Sequence, residues 1–405
     1  MNFSLLHAAL RRQVDSGFLP GVASAVLHGR QLVDQHICGL ADKEAGTPLG
    51  EQHIYRMFSN TKLVTACAAL LLWEDGQLDF DDPVERHIPQ LAQRQVLQPG
   101  ATQLTDTEPA HGPILLRHLL SHSSGLSYGL LDPGTLMFNA YNAAKVLHPR
   151  FTLAQKMDLL GPLPLKFHPG TDWEYSVGSD VMARVVEVVS GQSFGDFLQA
   201  RVFTPLGMTD TGFHVPEPQQ ARLTAYYSGV DMMNPMLPGL LRQDALPYPG
   251  AYRQPFPDQS GGGGLVSTLG DTVKLIRALM PLGDSSAAAA PPSGSASVPA
   301  LLKPHTLALL ARNQLPHGVC VQFPMMGRFE GKGHSLGGCV TLKPGPFDPR
   351  ESGDEIQWGG MGGTHWWINP RHNIAGVLMT QRHMGFWNPY AFEFKMLAYK
   401  ALGLD

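Results

Sequence analysis

Cysteine is scarce in this chain. Cys38, Cys67, Cys320 and Cys339 are the four present in 405 residues, and their wide spacing forms neither a disulfide scaffold nor a CxxC metal knuckle. Charge is sparse as well: Asp, Glu, Lys and Arg make up 16% of the residues, and the net charge of -4 comes without a basic run. Neutralising a row of phosphates needs such a run, so nucleic acid is not an expected partner. No stretch approaches the roughly 20 apolar residues of a membrane span, so no membrane partner is expected. From Met1 to Arg12 the positive charges follow the apolar residues. That order reads as an amphipathic helix and not a signal peptide, and a cytoplasmic location is the expectation. Neither a cofactor nor a metal is expected.

Apolar residues are plentiful, at 43% of a chain too long for one core. Two lobes are expected: an α/β (α+β) domain from 1–81 and 258–405, and a mainly helical domain with long loops over 82–257. The runs Val22 to Leu27 and Gln31 to Cys38 read as a hairpin after the first helix. Periodicity predicts a helix from Ser59 to about Gly76, and others over 114–121, 152–160, 177–190, 194–203 and 271–280. Strand character returns at Cys339 to Leu342, His365 to Asn369 and Ile374 to Thr380, before a last helix over 391–402. The first and last helices can cover one face of an antiparallel sheet. The Pro/Gly-rich tract from Met232 to Pro257 reads as a surface excursion or lid, and 284–300 as a low-complexity surface loop.

Ser59 and Lys62 carry the chemistry. Three residues apart at a helix start, they share one helix face, and Ser59 lies where free backbone N–H groups favour an oxyanion. Tyr175 completes the set, because a neighbouring ammonium can stabilise the phenolate that takes the serine proton. A neutral Lys62 acting as the base itself is the other assignment.

Three further patterns compete. Gly333-His334-Ser335-Leu336-Gly337 fits G-x-S-x-G, but the elbow needs a buried strand before the serine and a helix after it. Here a polar, glycine-rich segment precedes and a strand-like one follows, so a surface or strand-edge position is expected. His118 and His122 have the i,i+4 spacing of a zinc pair without a third ligand, which favours packing or capping. Gly261 to Gly264 lacks the GKS/T ending of a phosphate loop and reads as a flexible approach to an apolar segment.

These signals together resemble the class C β-lactamase and penicillin-binding-protein-like superfamily of serine hydrolases, over nearly the whole chain. Ser59-Asn60-Thr61-Lys62 is similar to its S-x-x-K motif and Tyr175 to the tyrosine of Y-x-N. Leu116 to Leu126, Pro205 to Met208 and Gly261 to Thr268 look like further landmarks. Trp358-Gly359-Gly360-Met361, followed by Trp366-Trp367-Ile368-Asn369-Pro370, narrows the resemblance to family VIII carboxylesterases and the fungal statin side-chain acyltransferase. Some of those esterases also carry an unused G-x-S-x-G.

The resemblance implies a β-lactamase/transpeptidase-like fold, an oxyanion hole from the backbone N–H groups of Ser59 and Met361, and a substrate wall including Trp358, Gly359 and Gly360. Tyr128, after the Ser-Ser-Gly loop, is a further substrate-wall candidate. Trp358 stands where lactamases keep the lysine of K-T-G, and Val177 where they keep the asparagine of Y-x-N. Both departures point away from β-lactams toward a small ester or acyl donor, with an alcohol as possible acceptor. The expected activity is hydrolysis of short- to medium-chain acyl esters through a Ser59 acyl-enzyme. Acyl transfer, amide hydrolysis of the lactamase or D-aminopeptidase type, and noncatalytic binding are the alternatives.

Overall fold

Two apolar runs, Val22 to Leu27 and Ile374 to Met379, lie side by side in the middle of an eight-stranded antiparallel sheet. The computed structural model describes residues 1–231, 234, 237–282, 300–324, 326–384 and 389–404. Its sheet takes β1 (Gly21–His28), β2 (Gln31–Asp42) and β3 (Thr47–Pro48) from the start of the chain. The other strands follow near the end: β4 (Lys332–His334), β5 (Cys339–Thr341), β6 (Ile356–Gly359), β7 (His365–Asn369) and β8 (Ile374–Met379). The order β4-β5-β6-β7-β8-β1-β2-β3 joins the two chain ends through the β8–β1 pair.

The helices that position the site are α1 (Ser4–Asp15), α2 (Thr61–Glu74), α3 (Gly178–Ser190), α4 (Leu269–Leu279) and α5 (Tyr390–Ala401). Side chains alternate across a strand. Val22, Val26, Ile374 and Leu378 accordingly face α1 and α5, meeting Leu6, Leu10, Phe394 and Tyr399. Ala23, Ala25, Leu27, Val377 and Met379 face the other way into the main core. Strands covered on both faces need unbroken apolar runs, which is why these two segments do not alternate.

α4 packs on β1 and β8, and α2 packs against α3 of an inserted helical lobe. Every residue of α2 from Thr61 to Leu72 is buried, so this helix is buried all round instead of on one face. Truncating Leu70 to Ala in such a helix costs about 2–5 kcal/mol. The lobe also holds Leu116–Leu120, Leu136–Ala143, Leu153–Leu160 and Phe194–Leu198. Thr152 starts the third of these by a capping box with Gln155.

Several boundaries differ from the sequence expectation for local reasons. The helix expected from Ser59 begins at Thr61, and Ser59 sits in a 3-10 turn, Phe58–Asn60. The helix expected from 114 begins at Leu116, because the Ile114 carbonyl accepts the Val84 N–H at 2.7 Å in an extended bridge. The helix over 194–203 widens into a π turn at Gln199–Phe203. The glycine-rich segment before Ser335 does form a strand, the short β4 paired to β5 at the sheet edge.

Within the Pro/Gly-rich tract, Ala251 and Tyr252 are buried, and the Tyr252 hydroxyl donates to the Gly263 carbonyl at 2.9 Å. Residues 232, 233, 235, 236 and 283–299, and the aromatics Phe386 and Trp387, lie outside the described residues. Among the described residues no helix is long and apolar enough to cross a membrane.

Candidate active site

The turn bearing Ser59 is held from both sides. Before it, Ile54–Arg56 pairs antiparallel with Val266–Thr268, and after it α2 begins at once. Phe58 bridges the two with φ +44°, a conformation costly for a residue with a Cβ and sustained only where packing dictates it. That packing is aromatic: the Phe58 ring lies 5.4 Å from Tyr226 and 5.7 Å from Tyr252, centroid to centroid.

Ser59, Lys62 and Tyr175 converge. The Tyr175 hydroxyl donates to Ser59 Oγ at 2.6 Å, and Lys62 Nζ lies 3.5 Å from the same oxygen. Lys62 Nζ also stands 4.6 Å from the Tyr175 ring centroid and 5.2 Å from that of Tyr128. The two tyrosine rings stack at 5.2 Å. A cation over two aromatic faces is favourably placed, the more so with Lys62 only 6% exposed.

The glycine run, expected as a flexible approach, is instead a wall of this site. Lys62 Nζ donates to the Gly262 carbonyl at 2.7 Å. Asp180, on the first turn of α3, accepts the Gly262 N–H at 3.1 Å and the Ser260 hydroxyl at 2.6 Å. A Cβ on Gly262 would stand 2.9 Å from Asp180 Oδ2, 3.1 Å from Tyr128 Oη and 3.4 Å from Lys62 Nζ. A side chain here would have to displace the Asp180 carboxylate, which glycine leaves in place. Burial, then the Asp180 carboxylate, push the Tyr128 phenol well above its ordinary range. Sequence reasoning missed Asp180; its position five residues after Tyr175, at a helix start, was the available signal.

Trp358 and Gly359 end β6, and Gly360–Thr364 turns against the serine turn. A Cβ on Gly360 would lie 2.4 Å from the Met57 carbonyl oxygen, so the two backbones touch. Among the described residues neither the Ser59 nor the Met361 N–H has a hydrogen-bond acceptor. The Trp358 ring packs 5.5 Å from Tyr175. It joins Leu131, Val321, Phe323 and Phe329 in lining a largely apolar cleft that also includes Ser59, Tyr175 and Met361. Trp366 and Trp367 are both buried, Trp366 in the main core and Trp367 against Phe394 and Tyr399.

The residues of the competing patterns are otherwise engaged, although His122 lies beside the site, its ring 4.8 Å from that of Tyr175. Ser335 is fully buried in the tight turn between β4 and β5, not at the surface. Its hydroxyl donates to the Gly338 carbonyl at 3.0 Å and accepts the Gly337 and Gly338 N–H groups, so the oxygen is fully engaged in closing the turn. His118 accepts the Leu115 N–H at 3.2 Å as a helix cap. His122 lies beyond that helix at φ +58° and meets Ser176 at 3.0 Å. Glu108, His111 and His168 do bring possible ligand atoms within 4.8 Å of one another. There His168 Nδ1 accepts the His111 backbone N–H at 3.3 Å, Nε2 meets Glu108 at 3.1 Å, and the His111 and His168 rings stack at 3.6 Å.

This arrangement of serine, lysine and tyrosine at one oxygen sits in a chain whose residues 6–390 match the Beta-lactamase family. The chain belongs to that family. Within it, the protein is similar to lovastatin esterase of Penicillium rubens, 34% identical over 79% of this chain and 77% of that one. It is also similar to esterase EstB of Burkholderia gladioli, 29% identical over 93% and 92%. Simvastatin synthase from Aspergillus terreus shares the fold, with a TM-score of 0.78, 23% identity and 98% of each chain covered.

Proposed function

We propose that this β-lactamase family member is a serine carboxylesterase that hydrolyses short- to medium-chain acyl esters through an acyl-enzyme on Ser59. The observation that carries the reading is the 2.6 Å contact of Tyr175 Oη with Ser59 Oγ, made beside Lys62 Nζ. A hydroxyl is a weak nucleophile until a base holds its proton. Tyr175, as a phenolate stabilised by the Lys62 ammonium, takes that proton and becomes the phenol as Ser59 attacks the ester carbonyl. The Ser59 and Met361 N–H groups receive the oxyanion, each such donor lowering the barrier by about 3–4 kcal/mol. Tyr175 then protonates the leaving alkoxide, and a water repeats the sequence to release the acid and regenerate Ser59.

The cleft favours a hydrocarbon acyl group, because Trp358, Phe323 and Val321 line it and the bordering Lys332 and Lys395 are paired with Asp348 and Glu355. Trp358 in place of a lysine removes the cation that would draw a β-lactam carboxylate. Esterase EstB and lovastatin esterase, both named for hydrolysis, support this reading. Intact mass spectrometry during incubation with p-nitrophenyl butyrate, with a penicillin, and with a vinyl ester plus an alcohol tests the reading. The expected result is a transient acyl adduct and turnover with the ester. Product ester formed faster than free acid assigns the protein to acyl transfer, and turnover confined to the penicillin overturns the ester reading. The absence of any adduct in folded protein supports a noncatalytic binding role.

A further inference from the structure

Lys62 borders a second, smaller space that the acyl-transfer reading leaves unused. Lys62, His122, His334, Leu336 and Trp358 are among the walls of a cavity with about 10 Å³ of room for a water's centre, which is about the size that holds one water. Its polar lining has fixed proton positions. His334 Nδ1 lies 2.7 Å from the Ser335 carbonyl oxygen. A carbonyl only accepts, so Nδ1 carries the proton and Nε2 is a bare lone pair. That Nε2 is buried and has no protein partner among the described residues.

His122 is polarised the opposite way. Its Nδ1 accepts the Ser176 N–H at 3.2 Å, which leaves the proton on Nε2. The two imidazoles meet edge to face at 5.1 Å. Burial, with a smaller contribution from Lys62, lowers His334 to about 4 and holds His122 well below its ordinary value. Both rings are therefore neutral near pH 7, and His334 is an acceptor there.

The ammonium of Lys62 has three protons to place. The Gly262 carbonyl takes one at 2.7 Å and Ser59 Oγ stands at 3.5 Å. The third has no protein acceptor among the described residues. At the position resembling the asparagine of Y-x-N, where an amide could orient the lysine, this chain has Val177, packed in the apolar core. A buried donor without an acceptor costs about 1–3 kcal/mol, which a water at that position would offset.

We propose that one buried water, accepting from Lys62 Nζ and donating to the lone pair of His334 Nε2, orients Lys62 in place of the missing amide. The Nε2–H of His122 offers the same water a second donor, which brings its hydrogen bonds to the usual three. His334 is thus a positioning residue: it acts on Ser59 only through the water and Lys62. The inference rests on the reading of Lys62 as partner to Tyr175 and Ser59. It also gives a use to the G-x-S-x-G segment, whose histidine, and not its serine, is turned toward the site.

A high-resolution crystal structure of the wild-type protein, with kinetics of His334→Gln, His334→Leu and Lys62→Ala, tests it. A water within hydrogen-bond distance of both Nζ and Nε2 is expected. His334→Leu, which removes the acceptor, is expected to lower kcat about 10- to 100-fold with KM nearly unchanged. His334→Gln keeps an acceptor near the Nε2 position and is expected to stay within about threefold of wild type. A dry cavity in the wild-type structure overturns the proposal, whether or not the leucine variant folds. Full turnover by folded His334→Leu beside an inactive Lys62→Ala overturns it as well. Full turnover by Lys62→Ala instead overturns the reading of Lys62 on which it rests.

Discussion

Asp180 is tied to Lys62 through a single residue: its carboxylate accepts the Gly262 N–H at 3.1 Å, and the carbonyl of the same glycine accepts from Lys62 Nζ at 2.7 Å. Asp180 is 2% exposed, so this chain of contacts is shielded from water and transmits small displacements. Asp180→Ala is expected to reduce kcat/KM about 10- to 100-fold and to destabilise the fold by about 1–3 kcal/mol, because the Ser260 hydroxyl loses its acceptor. Asp180→Asn keeps an acceptor and is expected to lose less than about tenfold. Steady-state kinetics and urea unfolding check both numbers.

Gly360 sets the distance between the two proposed oxyanion donors. A methyl group there would stand 2.4 Å from the Met57 carbonyl oxygen and 2.5 Å from Thr364 Oγ1, and a backbone atom cannot rotate aside. Gly360→Ala is expected to push the Met361 N–H off the oxyanion position and to lower kcat by about 100-fold, the cost of losing one such donor. Pre-steady-state measurement of acylation should show the loss in that step, with KM changed little.

Trp358 contacts the proposed base and the positioning histidine together, with its ring 5.5 Å from Tyr175 and 5.3 Å from His334. Trp358→Ala removes a large apolar surface from the cleft. We expect KM for p-nitrophenyl hexanoate to rise by about tenfold or more and KM for the acetate to rise less, since the longer chain uses more of the wall. An equal rise for both esters would place Trp358 outside the acyl pocket.

Acid sensitivity follows from the buried imidazole. The folded state lowers His334 from 6.5 to about 4, chiefly by burial. Between those two values the unfolded chain binds a proton that the folded chain does not, so stability rises with pH there. The His334 contribution is complete above pH 6.5 and is lost as pH falls toward 4. His334→Gln lacks this titration, so wild type is expected to lose more stability than the variant between pH 7 and 4.5, by a few kcal/mol at most. Urea midpoints at the two pH values measure the difference, and parallel losses would contradict it.

Much of the fold was legible because its strongest signals are local. Val22 to Leu27 and Ile374 to Thr380 read as strands from their apolar runs, and α2 is apolar enough to be central, whereas the cover on both faces of β1 and β8 depends on distant segments. Phe58 was not legible: its positive φ comes from the packing of Tyr226 and Tyr252, residues more than a hundred positions away. The same holds for Gly262, whose role depends on Asp180, Tyr128 and Lys62 arriving from three segments. Ser335 was legible as lacking an elbow, but not as buried, because the burial comes from a hairpin of two three-residue strands too short to carry a periodic signal.

The central claim is that Ser59 forms the acyl-enzyme. Peptide mapping after reaction with a p-nitrophenyl phosphonate, which traps the acylating nucleophile, tests it most directly. The account predicts one adduct on Ser59, absent from Ser59→Ala, sharply slowed in Lys62→Ala and Tyr175→Phe, and retained in Ser335→Ala. An adduct on Ser335, or undiminished labelling of Ser59→Ala, would contradict it.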